Sequence, residues 1–219
     1  AAMGRFPIKI SRPDGSLPAF GDASQRTSSQ SYRNHAAVVA RLTQDTDEIL
    51  WYATSGKEGR KPDYDSVALD WAGYYVMRTG WDKDDLYMAI KAGPYGAAHQ
   101  NDDKLSFELA AYGERFLVDP GMYIYDSSNP WRKYFISSLA HNTVVVDGLT
   151  QYRRDERDQW VATEPNDAIW ISDPNYDYFS GYYNFGYTDF TSYPSGSSQR
   201  KLRVIHHRDV LFVKRGVWL

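Results

Sequence analysis

The sequence contains no cysteine, which excludes disulfide bonds and thiolate metal ligands. It also lacks a basic excess, because 25 Lys and Arg stand against 28 Asp and Glu and give a net charge of −3. Nucleic-acid binding normally needs such an excess, so the composition argues against that class of partner. No apolar run reaches the roughly 20 residues of a membrane-spanning helix, and the first ten residues lack the apolar core of a signal peptide. These absences favour a soluble globular chain.

Aromatic residues are abundant, at 16% of the chain with 18 Tyr and 7 Trp. Aromatic side chains are typical of β-sheet surfaces, and their flat rings also stack on the faces of sugars. Ordinary sheet packing accounts for most of this excess. The composition therefore permits carbohydrate binding without requiring it.

The pattern along the chain predicts one helix followed by many strands. Residues 10–22 are rich in Pro and Gly and predict an ordered loop, and residues 31–54 carry apolar residues at helical spacing before a stop at Ser55 and Gly56. Short β-rich runs follow at residues 73–78, 86–91, 105–111, 115–118, 143–147, 168–172, 202–207 and 210–214. Residues 176–198 are interpreted as a long surface loop or an irregular strand region. Closely spaced strands of this kind indicate an antiparallel β-sandwich.

A polar loop at residues 99–103 carries the first candidate for chemistry. It follows a Gly- and Pro-rich turn and begins with His99, in the sequence GPYGAAHQNDD. The imidazole of His99 has an ordinary pKa near neutrality, so it can accept or donate a proton or stabilise developing negative charge. The alternative is a structural histidine bonded to a loop carbonyl.

A second polar group surrounds His141, which stands before an apolar run in AHNTVVVDG. Together with Asp119 and a residue of the first loop, His141 can form a metal site of mixed nitrogen and oxygen ligands. The alternative for Asp119 is a turn residue, because Pro120 and Gly121 follow it.

The order of these motifs resembles the heparinase II/III-like family of polysaccharide lyases. The resemblance runs through GPYG, HQNDDKLSFEL, VDPG, WRKYF, AHNTVVVDG and the later RVIHHRDVLFVK. It implies an (α/α) toroid followed by an antiparallel β-sandwich of the supersandwich type. Residues 1–65 would be a loop and the last toroid helix, and residues 66–219 would be a sandwich domain. The apolar end of the chain and the lone helix lead us to expect more of both domains outside this sequence.

The resemblance also implies a reaction. Family members cleave uronic-acid polysaccharides by β-elimination, which removes the C5 proton, stabilises an enolate-like intermediate and protonates the O4 leaving group. A Tyr and an Asn or His of the toroid share this work with a sandwich histidine, which by motif position is His99. We therefore expect an anionic polysaccharide as substrate, a periplasmic or extracellular location, and no activity from this chain alone.

The metal site departs from the family pattern. Many members place a second histidine two residues after the first, and it joins the later Asp and His in binding zinc. Here Asn101 stands at that position, with Asp119 and His141 at the other two. An amide is a weaker zinc ligand than imidazole. The three residues are therefore expected to bind no metal, to bind zinc or a harder ion such as calcium, or to form a hydrogen-bonded structural cluster, which is favoured slightly over zinc. The chemistry itself requires no metal.

Substrate binding is assigned to polar and aromatic side chains near these motifs. The candidates are Gln100, Tyr125, Trp131, Arg132 and Tyr134. Arg132 offers a fork for a carboxylate or sulfate, whereas the alternative is an interior Trp131 beside a solvated Arg132. Two further basic groups are given non-catalytic interpretations, a solvated surface for Arg153, Arg154 and Arg157 and a hairpin tip for His206, His207 and Arg208.

The sequence is compatible with two rival functions to different degrees. A non-catalytic carbohydrate-binding or structural β-sandwich would also explain the aromatic content. A glycoside hydrolase needs two opposed carboxylates, and the neighbouring Asp102 and Asp103 would point apart on a strand. The sequence therefore favours the lyase and keeps the binding module as the alternative.

Overall fold

The computed structural model describes residues 2–93, 99–152, 162–189 and 202–214. Three helices come first, α1 (Ala2–Ile10), α2 (Ser29–Thr43) and α3 (Glu48–Ala53). Strands follow, interrupted by a fourth short helix, α4 (Pro130–Ile136), and a 3-10 turn at Ser138–Ala140. No described helix has the length and apolar character needed to cross a membrane. Arg153, Arg154 and Arg157 lie outside the described residues.

The predicted helix over residues 31–54 is two helices. The first ends at Gln44, which adopts a left-handed conformation at φ 52° and donates its N–H to Ala40 O. The side chain of Asp45 then accepts hydrogen bonds from the N–H groups of Asp47 and Ile49 and starts the second helix. The helical spacing of apolar residues continues through the break between α2 and α3. It does so because both helices pack against the same buried cluster, which includes Ile8, Ala40 and Ile49.

All strand pairs are antiparallel, which confirms the predicted fold class. The strands are β1 (Val67–Leu69), β2 (Tyr74–Arg78), β3 (Tyr87–Lys91), β4 (Ser106–Ala111), β5 (Glu114–Leu117), β6 (Thr150–Gln151), β7 (Ile169–Ser172), β8 (Tyr176–Tyr183), β9 (Tyr187–Thr188) and β10 (His206–Val213). Among the described residues they form a five-stranded sheet β1-β2-β3-β4-β5, a three-stranded sheet β10-β8-β7 and the pair β6-β9.

A shared apolar core joins the two larger sheets. Tyr75 and Ile90 from the five-stranded sheet pack in one buried cluster with Phe179 and Phe212 from the three-stranded sheet. Each of these four side chains is fully buried, and truncating such a side chain to Ala typically costs about 2–5 kcal/mol. This core fixes the ends of β3 and β4, from which the polar loops emerge.

Two sequence interpretations near the chain's end are wrong. The segment at residues 176–183, interpreted as loop or irregular strand, is the regular strand β8, and it pairs with β10 over eight residues. Its serine, glycine and aspartate obscured the strand pattern in the sequence. The expected hairpin tip at His206, His207 and Arg208 is the beginning of that same strand β10, so the two runs 202–207 and 210–214 do not form a hairpin with each other.

Residues 143–147 do not form the predicted strand, and only an isolated bridge joins Val146 to Leu149. Side chains hold this segment instead. Asn142 donates its amide to the carbonyls of Phe107 and Val118, and the hydroxyl of Thr143 donates to Lys104 O. Side-chain hydrogen bonds therefore hold this segment near β4, and the segment does not pair with β4 as a strand.

Candidate functional site

His99 begins the polar loop that leads into β4, and its side chain is 70% exposed. Its backbone has a φ of 58°, in the left-handed region that few non-glycine residues adopt. Such strain costs on the order of 1 kcal/mol and persists only where neighbouring contacts impose it. The contact is supplied by Asp22, whose N–H donates to His99 O at 3.0 Å.

The loop before α2 holds this conformation in place. Gly21 has a φ of 68°, and a Cβ there would lie 2.6 Å from His99 O, so only glycine permits the close approach. The carbonyl of Gly21 also accepts the side-chain amide of Asn101 at 2.9 Å. The Pro- and Gly-rich segment therefore docks directly on the loop that carries His99.

One edge of the His99 ring is in contact with protein, and the other is open. Nδ1 lies 3.4 Å from Asp22 Oδ2 and 3.3 Å from the hydroxyl of Tyr125. Nε2 has no hydrogen-bond partner in the described part of the chain, and the ring's exposure leaves it accessible to a ligand. An imidazole anchored through Nδ1 with a free Nε2 has the geometry of a proton-transfer group.

Arg132 lies beneath this histidine and is 5% exposed. Its two terminal nitrogens bind the two oxygens of Asp22 at 3.1 and 3.0 Å, and its guanidinium faces the ring of Tyr125 at 5.0 Å. The sequence suggested that this fork receives a substrate anion. In the structure the fork is occupied by Asp22, so Arg132 supports the site from within.

Helix α4, which carries Arg132, also presents aromatic rings to solvent. Asn129 caps α4 by accepting the N–H of Trp131 at 3.0 Å, and this orientation leaves Trp131 56% and Tyr134 41% exposed. Tyr123 stacks on Phe135 at 5.2 Å between ring centroids. We call the rings of Tyr123, Trp131, Tyr134 and Phe135 the aromatic shelf. The interior position considered for Trp131 is therefore wrong.

Gln100 is only partly exposed, and its side-chain oxygen is buried without a hydrogen-bond partner among the described residues. Tyr125 is 56% exposed and contacts both His99 and Arg132. The substrate-binding roles of Gln100, Tyr125, Trp131 and Tyr134 remain predictions.

A buried polar network lies behind the loop. Asp119 and His141 have fully buried side chains, and His141 Nδ1 lies 2.8 Å from Asp119 Oδ2. Nε2 of His141 lies 3.1 Å from the carbonyl of Phe135. Asp103 is the third acidic or histidine side chain within ligand distance of this pair, and Lys91 Nζ binds both its oxygens at 2.8 Å. Asn101 adjoins the network through Gly21, which accepts its amide and donates its own N–H to Asp103.

The carboxylates of Asp119 and Asp103 favour the charged forms of the two bases in this network. Burial lowers the pKa of His141, but the hydrogen bond and charge of Asp119 outweigh it, and the net direction is upward. Burial likewise opposes the charge of Lys91, and Asp103 raises its pKa above the ordinary value. Each carboxylate thus raises the pKa of the base beside it. Both ring nitrogens of His141 face oxygen acceptors, Asp119 Oδ2 and Phe135 O, and a protonated ring can donate to both.

Ligand atoms of Asp103, Asp119 and His141 lie within 4.8 Å of one another and could hold a metal ion, but each of these side chains already has another partner. A divalent ion would have to displace the ammonium of Lys91 from Asp103 and take Nδ1 of His141 away from its hydrogen bond. One feature favours a ligand: Asn101 Oδ1 is buried without a partner among the described residues. A single amide oxygen does not replace the missing imidazole.

Glu108 on β4 connects the network to the loop before α2. It accepts two hydrogen bonds from Arg12, at 2.6 and 2.7 Å, and others from the N–H groups of Ala19 and Asp119. Both charged side chains are almost completely buried. Nothing in the local sequence indicates this pair, because its members are separated by 96 residues. Asp22 was missed for the same reason, since its partner Arg132 is 110 residues away.

Comparison with known proteins identifies the family. The heparinase II/III-like C-terminal family profile matches residues 61–218, and the chain belongs to this family. The chain is 31% identical over 213 residues to the heparin-sulfate lyase of Pedobacter heparinus, covering 96% of this chain and 30% of that protein. It is also 31% identical over 148 residues to the heparin-sulfate lyase of Bacteroides stercoris, covering 65% of this chain and 22% of that protein.

The fold agrees with the sequence relationship. The crystal structure of heparan sulfate lyase from Pedobacter heparinus superimposes with a TM-score of 0.72 at 32% identity, over 94% of this chain and 29% of that one. The chain thus spans less than a third of the length of the relatives it matches.

Proposed function

We propose that this chain forms part of a polysaccharide lyase that cleaves a uronic-acid-containing polysaccharide by β-elimination. The observation that carries the proposal is the imidazole of His99, which is anchored through Nδ1 and open at Nε2. Two relatives that bear the name heparin-sulfate lyase support heparan sulfate as the first substrate to test. A polymer of this size and charge also leads us to propose that the protein works outside the cytoplasm.

The reaction assigns a specific task to His99. Its free Nε2 transfers a proton in the elimination, either at C5 or at O4, while other groups neutralise the uronate carboxylate. By family resemblance, we propose that a toroid domain supplies those groups, and we assign them to no residue of this chain. The domain division at residues 65 and 66 belongs to the same proposal.

The aromatic shelf supports saccharide binding beside His99. Exposed rings of Trp131 and Tyr134 offer apolar faces on which sugar rings stack, and Tyr125 contacts both His99 and Arg132, a residue of the same helix as those rings. Arg132 holds Asp22 instead of a substrate anion, so we do not assign it to the substrate. A module that binds saccharides without cleaving them would use the same shelf.

The test uses the full-length protein with heparan sulfate and follows the ultraviolet absorbance of the unsaturated uronate product. His99→Ala is expected to lower kcat by about 100-fold or more, because an acid–base group is lost, with little change in thermal midpoint. His207→Ala is the matched control, since His207 is also exposed but lies on β10.

Two outcomes would contradict the proposal. If His99→Ala turns over like the unmodified protein, His99 has only a structural role. If the full-length protein binds uronate polymers without producing an absorbance change, the binding module is the better description.

A further inference from the structure

We propose that Asp22 is a positioning residue for His99, with Arg132 as its anchor. This inference rests on the proposed function, because it concerns the histidine that the reaction would use. Asp22 contacts His99 twice: its N–H donates to the His99 carbonyl at 3.0 Å, and its Oδ2 lies 3.4 Å from Nδ1.

Asp22 is itself rigidly held. Arg132 binds both of its oxygens, and the side chains of the two residues are only 5% and 6% exposed. A bidentate guanidinium–carboxylate pair fixes the orientation of the carboxylate as well as its position. The ring of Tyr125 covers the guanidinium at 5.0 Å and further limits its movement. The carboxylate that faces His99 therefore has one defined orientation.

The acceptor at this position determines which ring nitrogen carries the proton. A carboxylate beside Nδ1 favours the tautomer with the proton on Nδ1, which leaves the lone pair on Nε2. The hydroxyl oxygen of Tyr125, at 3.3 Å, is able to accept from the same N–H. The distance from Asp22 is long for a hydrogen bond, as is common in ligand-free sites, and such contacts shorten when substrate binds.

Arg132 also moderates the electrostatic effect of Asp22. An isolated buried carboxylate beside an imidazole would strongly favour the imidazolium and remove the free lone pair. Pairing with Arg132 makes the unit neutral overall, so Asp22 orients the ring without supplying a full negative charge. The consequence is a histidine that is aligned yet still able to exchange a proton at Nε2.

The inference is tested in the full-length protein with Asp22→Asn, which keeps the size of the side chain and removes the charge. We expect kcat on heparan sulfate to fall about 10-fold or more, since the ring loses its preferred tautomer and orientation, while KM changes less than about twofold. Arg132→Lys retains a cation without the fork and should give a smaller loss of kcat. Asp14→Asn, which removes an exposed partner of Arg115 from the same loop, is the matched control and should leave both constants unchanged.

Each variant is assayed below its thermal midpoint, with near-ultraviolet circular dichroism used to correct for the folded fraction. A corrected kcat for Asp22→Asn within twofold of the unmodified protein overturns the inference, as does a loss that appears only in KM. His99→Ala separates the two proposals. If it retains full turnover, the proposed role of His99 fails as well; if it is inactive and Asp22→Asn is normal, only the positioning role fails.

Discussion

Three described histidines meet a carboxylate through Nδ1, and two of them, His99 and His141, differ most clearly in the contacts of their second ring nitrogen, Nε2. In the exposed pair, His99 Nδ1 faces Asp22 at 3.4 Å and Nε2 is open. In the buried pair, His141 Nδ1 faces Asp119 at 2.8 Å and Nε2 is bonded to Phe135 O. A histidine–carboxylate contact thus does not by itself indicate chemistry. A free second nitrogen does, because only that nitrogen can exchange a proton with a substrate.

The buried pair should matter most for stability. Asp119→Ala leaves the ring of His141 buried without its carboxylate partner, and we expect the free energy of unfolding to fall by about 3–5 kcal/mol. Urea denaturation of the full-length protein measures this change. Asp209→Ala is the control, because Asp209 pairs with His207 at 3.3 Å while both side chains are more than half exposed, and its loss should cost less than about 1 kcal/mol. Equal losses of unfolding free energy in the two variants would show that the buried pair is no more important for stability than the exposed one.

The aromatic shelf should instead affect substrate binding. Trp131→Ala removes a ring from the aromatic shelf, and we expect KM for heparan sulfate to rise about threefold to tenfold, equivalent to roughly 1 kcal/mol of lost ring contact. The thermal midpoint should stay the same because the ring is 56% exposed. Tyr112→Ala is the control, since that exposed ring lies at the opposite end of β4 from the His99 loop. An equal rise in KM for both variants would show that the shelf has no special role.

Metal removal should have the smallest effect. Lys91 and His141 already pair with Asp103 and Asp119, so chelation with EDTA is expected to change neither the thermal midpoint nor the kcat of the full-length protein. Elemental analysis of the untreated protein provides the control and should find no stoichiometric zinc or calcium. A bound ion, together with a lower midpoint after chelation, would mean that the network is a metal site after all.

The sequence predicted the parts of this molecule that depend on local pattern. Alternating apolar residues revealed β2, β3 and β4, and the motif order identified the family. The polar loop with His99 was recognisable because it follows a Gly- and Pro-rich turn directly before a strand. Strand β8 was missed, since its alternation is carried by tyrosines and interrupted by polar residues and glycine.

The partners of the site residues were beyond the reach of local pattern. Nothing near Asp22 indicates that its carboxylate faces His99, and nothing near Lys91 distinguishes an ammonium bound to Asp103 from one in solvent. Arg132 was assigned to substrate because an arginine beside two aromatic residues fits that role equally well. Only the folded chain shows that its fork is already occupied.

The docking of the loop before α2 has a consequence for how the protein folds. Its bonds to the sheet join residues that are 80 to 96 positions apart in sequence, from Gly21 to Asn101 and Asp103 and from Arg12 to Glu108. Contacts of such long range carry a high chain-entropy cost and form after local strand pairs. The backbone bond that keeps His99 in its left-handed conformation should therefore be among the last to form. In a folding intermediate whose sheet is already complete, the backbone and ring of His99 would not yet be held in one conformation.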